Sequence, residues 1–246
     1  MRAVLFDLDD TLFDHQHCAR ASLQAVHDRH ACLRGRSFEE VEQAHAGLLE
    51  ELHHEVVLGR LDIDTARRER FRRLFLAVGE RASEALVRDV ATDYRRAYVA
   101  ARRGVAGAAA LLAHTRARAA VAIVSNNVLE EQQNKLRHCG LDTLIDALVV
   151  SEEEGISKPD PAIFMRALAR VNGTPDSAVM VGDSWAADIA GARAAGIRAI
   201  WFNRHGLLRP EAADDVAELR SLEPVEAALE IIFGRSHVPE DHANRR

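Results

Sequence analysis

Residues 3–9 of the chain read AVLFDLD, an apolar run that ends in two carboxylates separated by one residue. Alternate residues of a β-strand point to the same side, so a buried strand of this kind delivers Asp7 and Asp9 to one edge of a sheet. Two like charges held close together repel, and a bound cation or a shared proton is the usual way in which that repulsion is relieved. The stretch therefore predicts a metal site at the end of the first strand.

The sequence that follows divides into a helical part and an alternating part. Residues 15–103 contain no proline and are rich in Ala, Leu, Glu and Arg, and their apolar residues recur at the three-to-four spacing of amphipathic helices. Beyond them, apolar runs alternate with helical patterns: the runs cover 121–124, 147–150, 178–181 and 197–202, and the helical patterns cover 129–139, 161–171 and 185–195. Such alternation predicts an α/β fold with a parallel sheet and helices on both faces.

These patterns also predict the domain boundaries. We expect a core formed by residues 1–14 and 104–233, a helical insertion of residues 15–103, and a polar C-terminal tail of residues 234–246.

Composition narrows the class of protein. Among the 246 residues, 48% are hydrophobic and 28% are charged, and no apolar run approaches the roughly 18–20 residues that span a bilayer. Asp7 interrupts the first apolar stretch, which is incompatible with a secretory signal, so we expect a cytoplasmic protein without membrane contacts. The formal net charge of −6 argues against nucleic acid as a partner. Three widely separated cysteines favour neither a disulfide framework nor a zinc site.

Ligands of an open parallel sheet bind at the carboxyl ends of its strands. The side chains that follow the predicted strands are carboxylates, hydroxyls and amides: Asp7, Asp9, Asp10, Thr11, Ser125, Asn126, Asn127, Asp183, Ser184 and Asp188. Mg²⁺ prefers oxygen ligands, and Asp7 and Asp183 can supply carboxylates to it. A carboxylate can also attack phosphorus and form an aspartyl-phosphate. The set predicts phosphoryl transfer that uses a hard cation.

Lysine is rare in this chain, because Lys135 and Lys158 are the only lysines among 32 basic residues. Arginine serves wherever a general positive charge suffices, so a lysine indicates a site that needs a compact point charge. Lys158 stands in the segment SKPDP at residues 157–161, and we interpret it as a functional residue that holds the transferring group.

Four segments together resemble the motifs of the haloacid dehalogenase superfamily, in that family's order. They are FDLDDTL at residues 6–12, IVSN at 123–126, KPD at 158–160, and VGD at 181–183 followed by Asp188. The resemblance spans residues 1 to about 233 and implies a Rossmann-like core with an α-helical cap inserted after the first strand.

The resemblance implies a role for each matching residue. Asp7 would be the nucleophile and a Mg²⁺ ligand, and Asp9 the general acid and then base, with its backbone carbonyl also on the metal. Ser125, Asn126 and Lys158 would bind the phosphoryl group. Asp183 would bind Mg²⁺, and Asp188 would orient the metal site or Lys158.

Within the family, Asp9 favours a phosphatase that acts on a small phosphorylated metabolite, possible substrates being a nucleotide or a sugar phosphate. Dehalogenase members lack an acid at this position because halide leaves without a proton. A phosphomutase, a 2-haloacid dehalogenase and a non-catalytic binding protein remain alternatives, and we expect a monomer or a homodimer.

Several other polar residues have two open readings. Asp10 is either part of local hydrogen bonding or exposed, and Asn127 stands where many relatives have glycine, so it either crowds the entrance or adopts the left-handed turn. His15 and His17 follow the first motif directly. For His53 and His54, a solvated position on a helix face is the commoner explanation. The cap arginines form either a charged outer helix face or an attractant for an anionic substrate; they are Arg67, Arg68, Arg70, Arg72 and Arg73.

Overall fold

A computed structural model describes residues 2–210 and 215–234. The predicted tail therefore lies outside the described residues except for Gly234. Among the described residues, six strands form one sheet with every neighbouring pair parallel, in the order β3-β2-β1-β4-β5-β6. The strands are β1 (Ala3–Phe6), β2 (Ala120–Ser125), β3 (Ala147–Val150), β4 (Ala178–Gly182), β5 (Arg198–Phe202) and β6 (Ala217–Leu219). The predicted α/β class is confirmed.

Ten α-helices accompany the sheet in the described part of the chain. Their bounds are α1 (His15–Arg29), α2 (Phe38–Val57), α3 (Ile63–Ala77), α4 (Glu84–Ala100), α5 (Ala108–Arg116), α6 (Leu129–His138), α7 (Ser151–Glu154), α8 (Pro161–Arg170), α9 (Ala190–Ala194) and α10 (Val225–Phe233). A π-helical turn, Trp185–Ile189, precedes α9, so the helical pattern predicted at 185–195 begins as a wider turn.

The sheet is buried on both faces because β1 is apolar at every position and β2 at every position except Ser125. Val4 and Phe6 of β1 belong to one hydrophobic cluster, and Ala3 and Leu5 belong to another. Consecutive residues of a strand point to opposite faces, so the two clusters are the two layers of the core. The cluster on the Val4 side continues into helices α1–α4, which follow β1 directly and precede α5.

The chain enters and leaves the α1–α4 segment at one place. Asp14 N donates a hydrogen bond to the carbonyl of Arg103 at 3.1 Å. The Arg103 guanidinium reaches Asp14 Oδ2 from two nitrogens, at 2.8 and 2.6 Å, and Arg204 reaches Asp14 Oδ1 at 2.6 Å. The two connecting segments are therefore held side by side by a buried carboxylate.

No helix in the described ranges combines the length and the apolar composition that crossing a bilayer requires.

The strand order reverses between β1 and β4. In sheets of this order, ligands bind in the crevice outside the carboxyl ends of the strands on either side of the reversal. Asp7 follows β1 and Asp183 follows β4, so both stand at this crevice.

Candidate active site

Asp7 and Lys158 form a buried ion pair at the end of β1. Lys158 Nζ lies 2.6 Å from Asp7 Oδ1 and 2.6 Å from Asp188 Oδ1, and it donates a third hydrogen bond to the carbonyl of Val124 at 2.8 Å. All three protons of the ammonium are thus used. Asp7, Lys158 and Asp188 are each buried, so the pairing is shielded from solvent.

Three carboxylates gather at this place. Oxygen atoms of Asp7, Asp183 and Asp188 lie within 4.8 Å of one another. Asp188 uses both oxygens, one for Lys158 and one for the backbone N–H of Ser184 at 3.0 Å. Asp183 accepts a weak hydrogen bond from Thr11 Oγ1 at 3.3 Å. One ammonium therefore faces three carboxylates, and the excess negative charge together with the oxygen donors of Asp7 and Asp183 fits a divalent cation such as Mg²⁺.

The pKa values of two of these carboxyl groups reflect the crowding. Burial, opposed by Lys158 and assisted by Asp188, raises the pKa of Asp7 to about 7. Burial and the nearby charges of Asp7 and Asp188 raise the pKa of Asp183 to about 8. Asp7, Asp183 and Asp188 together carry more negative charge than Lys158 offsets. A bound cation would lower the two raised pKa values.

Gly182 allows the cluster to form. A β-carbon at this position would overlap the carboxylate of Asp188, so a side chain there would displace Asp188 from Lys158. The close approach of the Asp188 carboxylate therefore requires glycine at the end of β4.

Asp9 is held in a second polar cluster. Lys135 Nζ lies 2.6 Å from Oδ1 and 2.8 Å from Oδ2, while Gln132 Nε2 and Asn127 Nδ2 donate to Oδ2 at 3.0 and 3.1 Å. Burial alone would raise the pKa of Asp9, but Lys135 and these hydrogen bonds hold that pKa far below its usual range. Asp9 is therefore ionised in this arrangement.

The side chains that follow β2 connect the two clusters. Ser125 is buried and its hydroxyl accepts a hydrogen bond from Gln132 Nε2. Asn126 fixes the backbone of Lys158, since its Oδ1 accepts from the Lys158 N–H at 2.7 Å and its Nδ2 donates to the Lys158 carbonyl at 2.8 Å. The side chain of Asn126 thus positions the segment that carries the lysine.

The structure thus brings Asp7, Lys158, Asp183 and Asp188 into one cluster and Asp9 into the adjacent one. Reasoning from the sequence missed Lys135 and Gln132, which hold Asp9. The rarity of lysine was the available signal for Lys135, since it applies equally to both lysines.

The residues with two open readings are placed as follows. Asp10 is buried and accepts hydrogen bonds from Gln16 N and Arg204. Among the described residues, a positive φ outside glycine occurs at Asp10 and Asn172, so Asn127 does not adopt the left-handed turn that was one of its two alternatives. His53 is not on a solvated face, because its Nε2 lies 2.9 Å from the carbonyl of Asn126.

His54 is exposed, as predicted. His15 is partly buried with its Nδ1 2.8 Å from the Tyr98 hydroxyl, and burial lowers its pKa to about 4. His17 is partly buried on α1.

Comparison with known proteins places this geometry in context. A family model described as haloacid dehalogenase-like hydrolase matches residues 1–196. A phosphoserine phosphatase of Thermus thermophilus is 42% identical over 46% of this chain, but that match spans only 45% of the relative's length. A ribulose-1,5-bisphosphate 5-phosphatase of Halopiger xanaduensis is 34% identical over 82% of this chain and 84% of its own length.

A solved structure matches over nearly the whole chain. It is the magnesium-bound HAD-hydrolase YfnB of Bacillus subtilis, at a TM-score of 0.74 and 26% identity, with 93% of this chain and 98% of that chain covered.

Proposed function

The chain belongs to the haloacid dehalogenase-like hydrolase family, and from that premise we propose that it is a Mg²⁺-dependent phosphatase acting on a small phosphorylated metabolite. The observation that carries the proposal is the pairing of a buried nucleophile, Asp7 held by Lys158, with a second carboxylate two residues later, Asp9. Relatives named as phosphatases support the same reaction class.

The first step of the proposed reaction is attack by an Asp7 carboxylate oxygen on phosphorus. An oxygen–phosphorus bond forms to Asp7 and the bond from phosphorus to the ester oxygen breaks, which leaves an aspartyl-phosphate. Lys158 favours the ionised form of Asp7, in opposition to the burial that raises the pKa of this carboxyl group, and offsets charge on the phosphoryl oxygens. We assign phosphoryl binding also to the Ser125 hydroxyl and to Asn126, which positions Lys158.

Asp9 is proposed to transfer the protons. As an acid it would protonate the departing oxygen, and as a base it would take a proton from the water that hydrolyses the aspartyl-phosphate. The ion pair with Lys135 prepares it for the second role, because an ionised carboxylate accepts a proton and cannot donate one. Its role as an acid therefore requires that the contact with Lys135 be broken before the ester bond breaks.

Mg²⁺ would be held by carboxylate oxygens of Asp7 and Asp183 and by the backbone carbonyl of Asp9. When bound, the ion offsets negative charge on the phosphoryl group. Asp188 is assigned to orient Lys158 and the Ser184 backbone, because one of its oxygens accepts a hydrogen bond from each. The magnesium of the Bacillus subtilis structure supports this choice of ion.

Residues 15–103 are proposed to be a cap that covers the site during turnover, on a core of residues 1–14 and 104–233. The contact of His53 on α2 with the carbonyl of Asn126 supports this, because it joins the α1–α4 segment to the phosphoryl-binding residues. Covering the site would exclude bulk water from the transfer step.

The proposal is tested by phosphate release from a panel of phosphomonoesters, including p-nitrophenyl phosphate, with and without Mg²⁺. Release that needs Mg²⁺ and disappears in Asp7→Asn supports it. Isomerisation of a hexose 1-phosphate without free phosphate would instead identify a phosphomutase. Chloride release from a 2-haloacid would identify a dehalogenase, and binding of Mg²⁺ with no turnover would favour a binding protein.

A further inference from the structure

Arg70 of α3 is a buried cation with no acidic partner among residues 2–210 and 215–234. Its exposed fraction is 7%, and its Nε has no hydrogen-bond partner in the described structure. The guanidinium carbon lies 4.6 Å from the ring centroid of Tyr94 and 5.3 Å from that of Phe71. Ring faces attract a cation but do not replace the water that burial removes, so a charge in this position favours an anion that comes from outside the chain.

The cations described next, unlike Arg70, contact acidic side chains. Arg67 and Arg95 both reach Glu131, at 3.3 and 2.6 Å, and Lys135 is paired with Asp9. At the surface, Arg72 pairs with Glu69 and Glu84, and Arg73 pairs with Glu51 and Glu69. Of the five cap arginines, Arg67, Arg72 and Arg73 thus pair with acidic residues, and Arg68 donates to the Thr65 hydroxyl at 3.0 Å. Arg70 is the buried member of the cluster, and it is available to a ligand.

Arg70 lines a cavity that begins beside Asp9. The cavity has a volume of about 100 Å³, and Asn127 and Lys135, which both hydrogen-bond Asp9, form part of its wall. Four basic residues and one acidic residue line it: Arg67, Arg70, Arg95, Lys135 and Glu131. The group that leaves the phosphorus atom would enter this space, because Asp9 is the residue assigned to protonate it.

We propose that Arg70 binds a second anionic group, carried by the leaving group of the substrate, and that the substrate is a short phosphorylated acid. This inference rests on the proposed phosphatase function. A guanidinium presents a planar fork of donors that matches a carboxylate. The volume lies well below the roughly 300–1,000 Å³ of pockets that enclose drug-sized ligands, which favours a leaving group of a few carbons over a nucleoside.

The test compares substrates that differ only in the second anion. O-phospho-L-serine is paired with O-phosphoethanolamine, and 3-phosphoglycerate with glycerol 1-phosphate. A third pair, propane-1,3-diol bisphosphate and its monophosphate, distinguishes a second phosphate from a carboxylate. Each is assayed with the wild type, with Arg70→Gln, and with Arg72→Gln as the matched control on the surface of the same helix.

The expected result is that the wild type prefers the anionic member of at least one pair. Arg70→Gln should lower kcat/KM for that member about 10- to 100-fold, as expected for loss of a charge-assisted hydrogen-bond pair, and should lower it far less for the member of the pair that lacks the second anion. Arg72→Gln should behave as the wild type. Equal turnover within every pair, or an equal loss on both members of a pair in Arg70→Gln, would overturn the inference while leaving the proposed function in place.

A binding measurement separates the two proposals if no phosphomonoester is turned over. Malonate, a short dicarboxylate, should raise the Tm of the wild type and of Arg72→Gln but not that of Arg70→Gln. The absence of this difference would overturn the assignment of Arg70 independently of catalysis. Arg70→Met, which keeps the packing on Tyr94 without the charge, replaces Arg70→Gln in every arm if the latter does not fold.

Discussion

Lys135 Nζ lies 2.6 Å from Asp9 Oδ1 and 2.8 Å from Oδ2, so one buried ammonium contacts both oxygens of the carboxylate that follows Asp7 by two residues. The side chain of Lys135 is 2% exposed and that of Asp9 is 24% exposed. An ion pair of this kind sets the protonation state of Asp9 before any substrate binds.

The first prediction concerns Lys135→Met. Without the ammonium, the burial of Asp9 is no longer offset, so the pKa of Asp9 should rise. Activity that depends on ionised Asp9 should then fall at low pH, and the acid limb of the kcat profile should move to higher pH. We expect kcat at pH 6 to fall about tenfold for each unit by which the pKa of Asp9 in the variant exceeds 6, and to recover as pH rises.

Lys135→Arg is the control, because it keeps the positive charge. It should recover much of the acid-side activity if charge is what matters. A pH profile of Lys135→Met with the same acid limb as the wild type would contradict the assignment.

The second prediction concerns the stability of the metal-free protein. The pKa values of Asp7 and Asp183 are raised to about 7 and about 8 by burial and by neighbouring carboxylates. These two carboxyl groups therefore bind more protons in the folded protein than in the unfolded chain between about pH 4 and 8, which makes stability decrease as pH rises. The lowered pKa values of His15, His45 and His53 act in the opposite direction below about pH 6.5, so the test is made above that pH. In EDTA, the Tm should drop by about 2–4 °C between pH 7 and 8.5, which corresponds to about 1 kcal/mol.

Mg²⁺ should remove this pH dependence and raise the Tm at pH 8. At 100 times its Kd a ligand contributes about 2.7 kcal/mol. Asp183→Asn should weaken both the loss of stability at high pH and the response to Mg²⁺. A metal-free wild type whose Tm does not fall between pH 7 and 8.5, or falls no more than that of Asp183→Asn, would show that the carboxylate cluster does not behave as described.

The third prediction concerns Asp14, where the two connecting segments of the α1–α4 region meet. Arg103 and Arg204 both donate to its carboxylate, so Asp14→Asn should lower the free energy of unfolding by about 1–3 kcal/mol. Burial raises the pKa of Asp14 but the two arginines lower it more. The difference in the free energy of unfolding between the wild type and Asp14→Asn should therefore be largest above about pH 4 and decrease as pH falls further.

Denaturant unfolding measures this difference. Asp28→Asn, at an exposed aspartate of α1 whose side chain is 67% accessible, is the control and should change stability little. An equal effect of the two substitutions would indicate that the arginine contacts of Asp14 contribute nothing specific.

The parallel sheet could be predicted from the sequence because strand periodicity is a local pattern. The meeting of Asp7 and Asp183 could be predicted because both follow strands, and ligands of a parallel sheet bind at the carboxyl ends of its strands. Lys158 was found from the rarity of lysine. Lys135 was missed because α6 places it at the spacing of an ordinary helix residue, and its burial depends on Asp9, which lies 126 positions away. His53 was misjudged for the same reason, since its partner Asn126 is 73 positions away.

Short and weakly patterned elements were also missed. β6 has three residues, one of them Glu218, and carries too little alternation to be recognised as a strand. The lack of an ionic partner at Arg70 could not be foreseen either. Four other arginines stand within three positions of it, and helical spacing does not reveal which of them finds an acidic residue.

The last prediction tests the steric role of Gly182 against that of another glycine. A methyl group at residue 182 would overlap the Asp188 carboxylate, so Gly182→Ala should push Asp188 away from Lys158 and cost about 1–3 kcal/mol of stability. Because Lys158 also holds Asp7, the displacement of Asp188 should lower the kcat of Gly182→Ala by at least about tenfold. Gly47 lies within α2, and a β-carbon added there would meet no atom within 4 Å, so Gly47→Ala should instead stabilise the protein by about 0.5–1 kcal/mol. Thermal unfolding and phosphate release are measured on both variants. Equal effects of the two substitutions would mean that the crowding at Asp188 is not what requires glycine at residue 182.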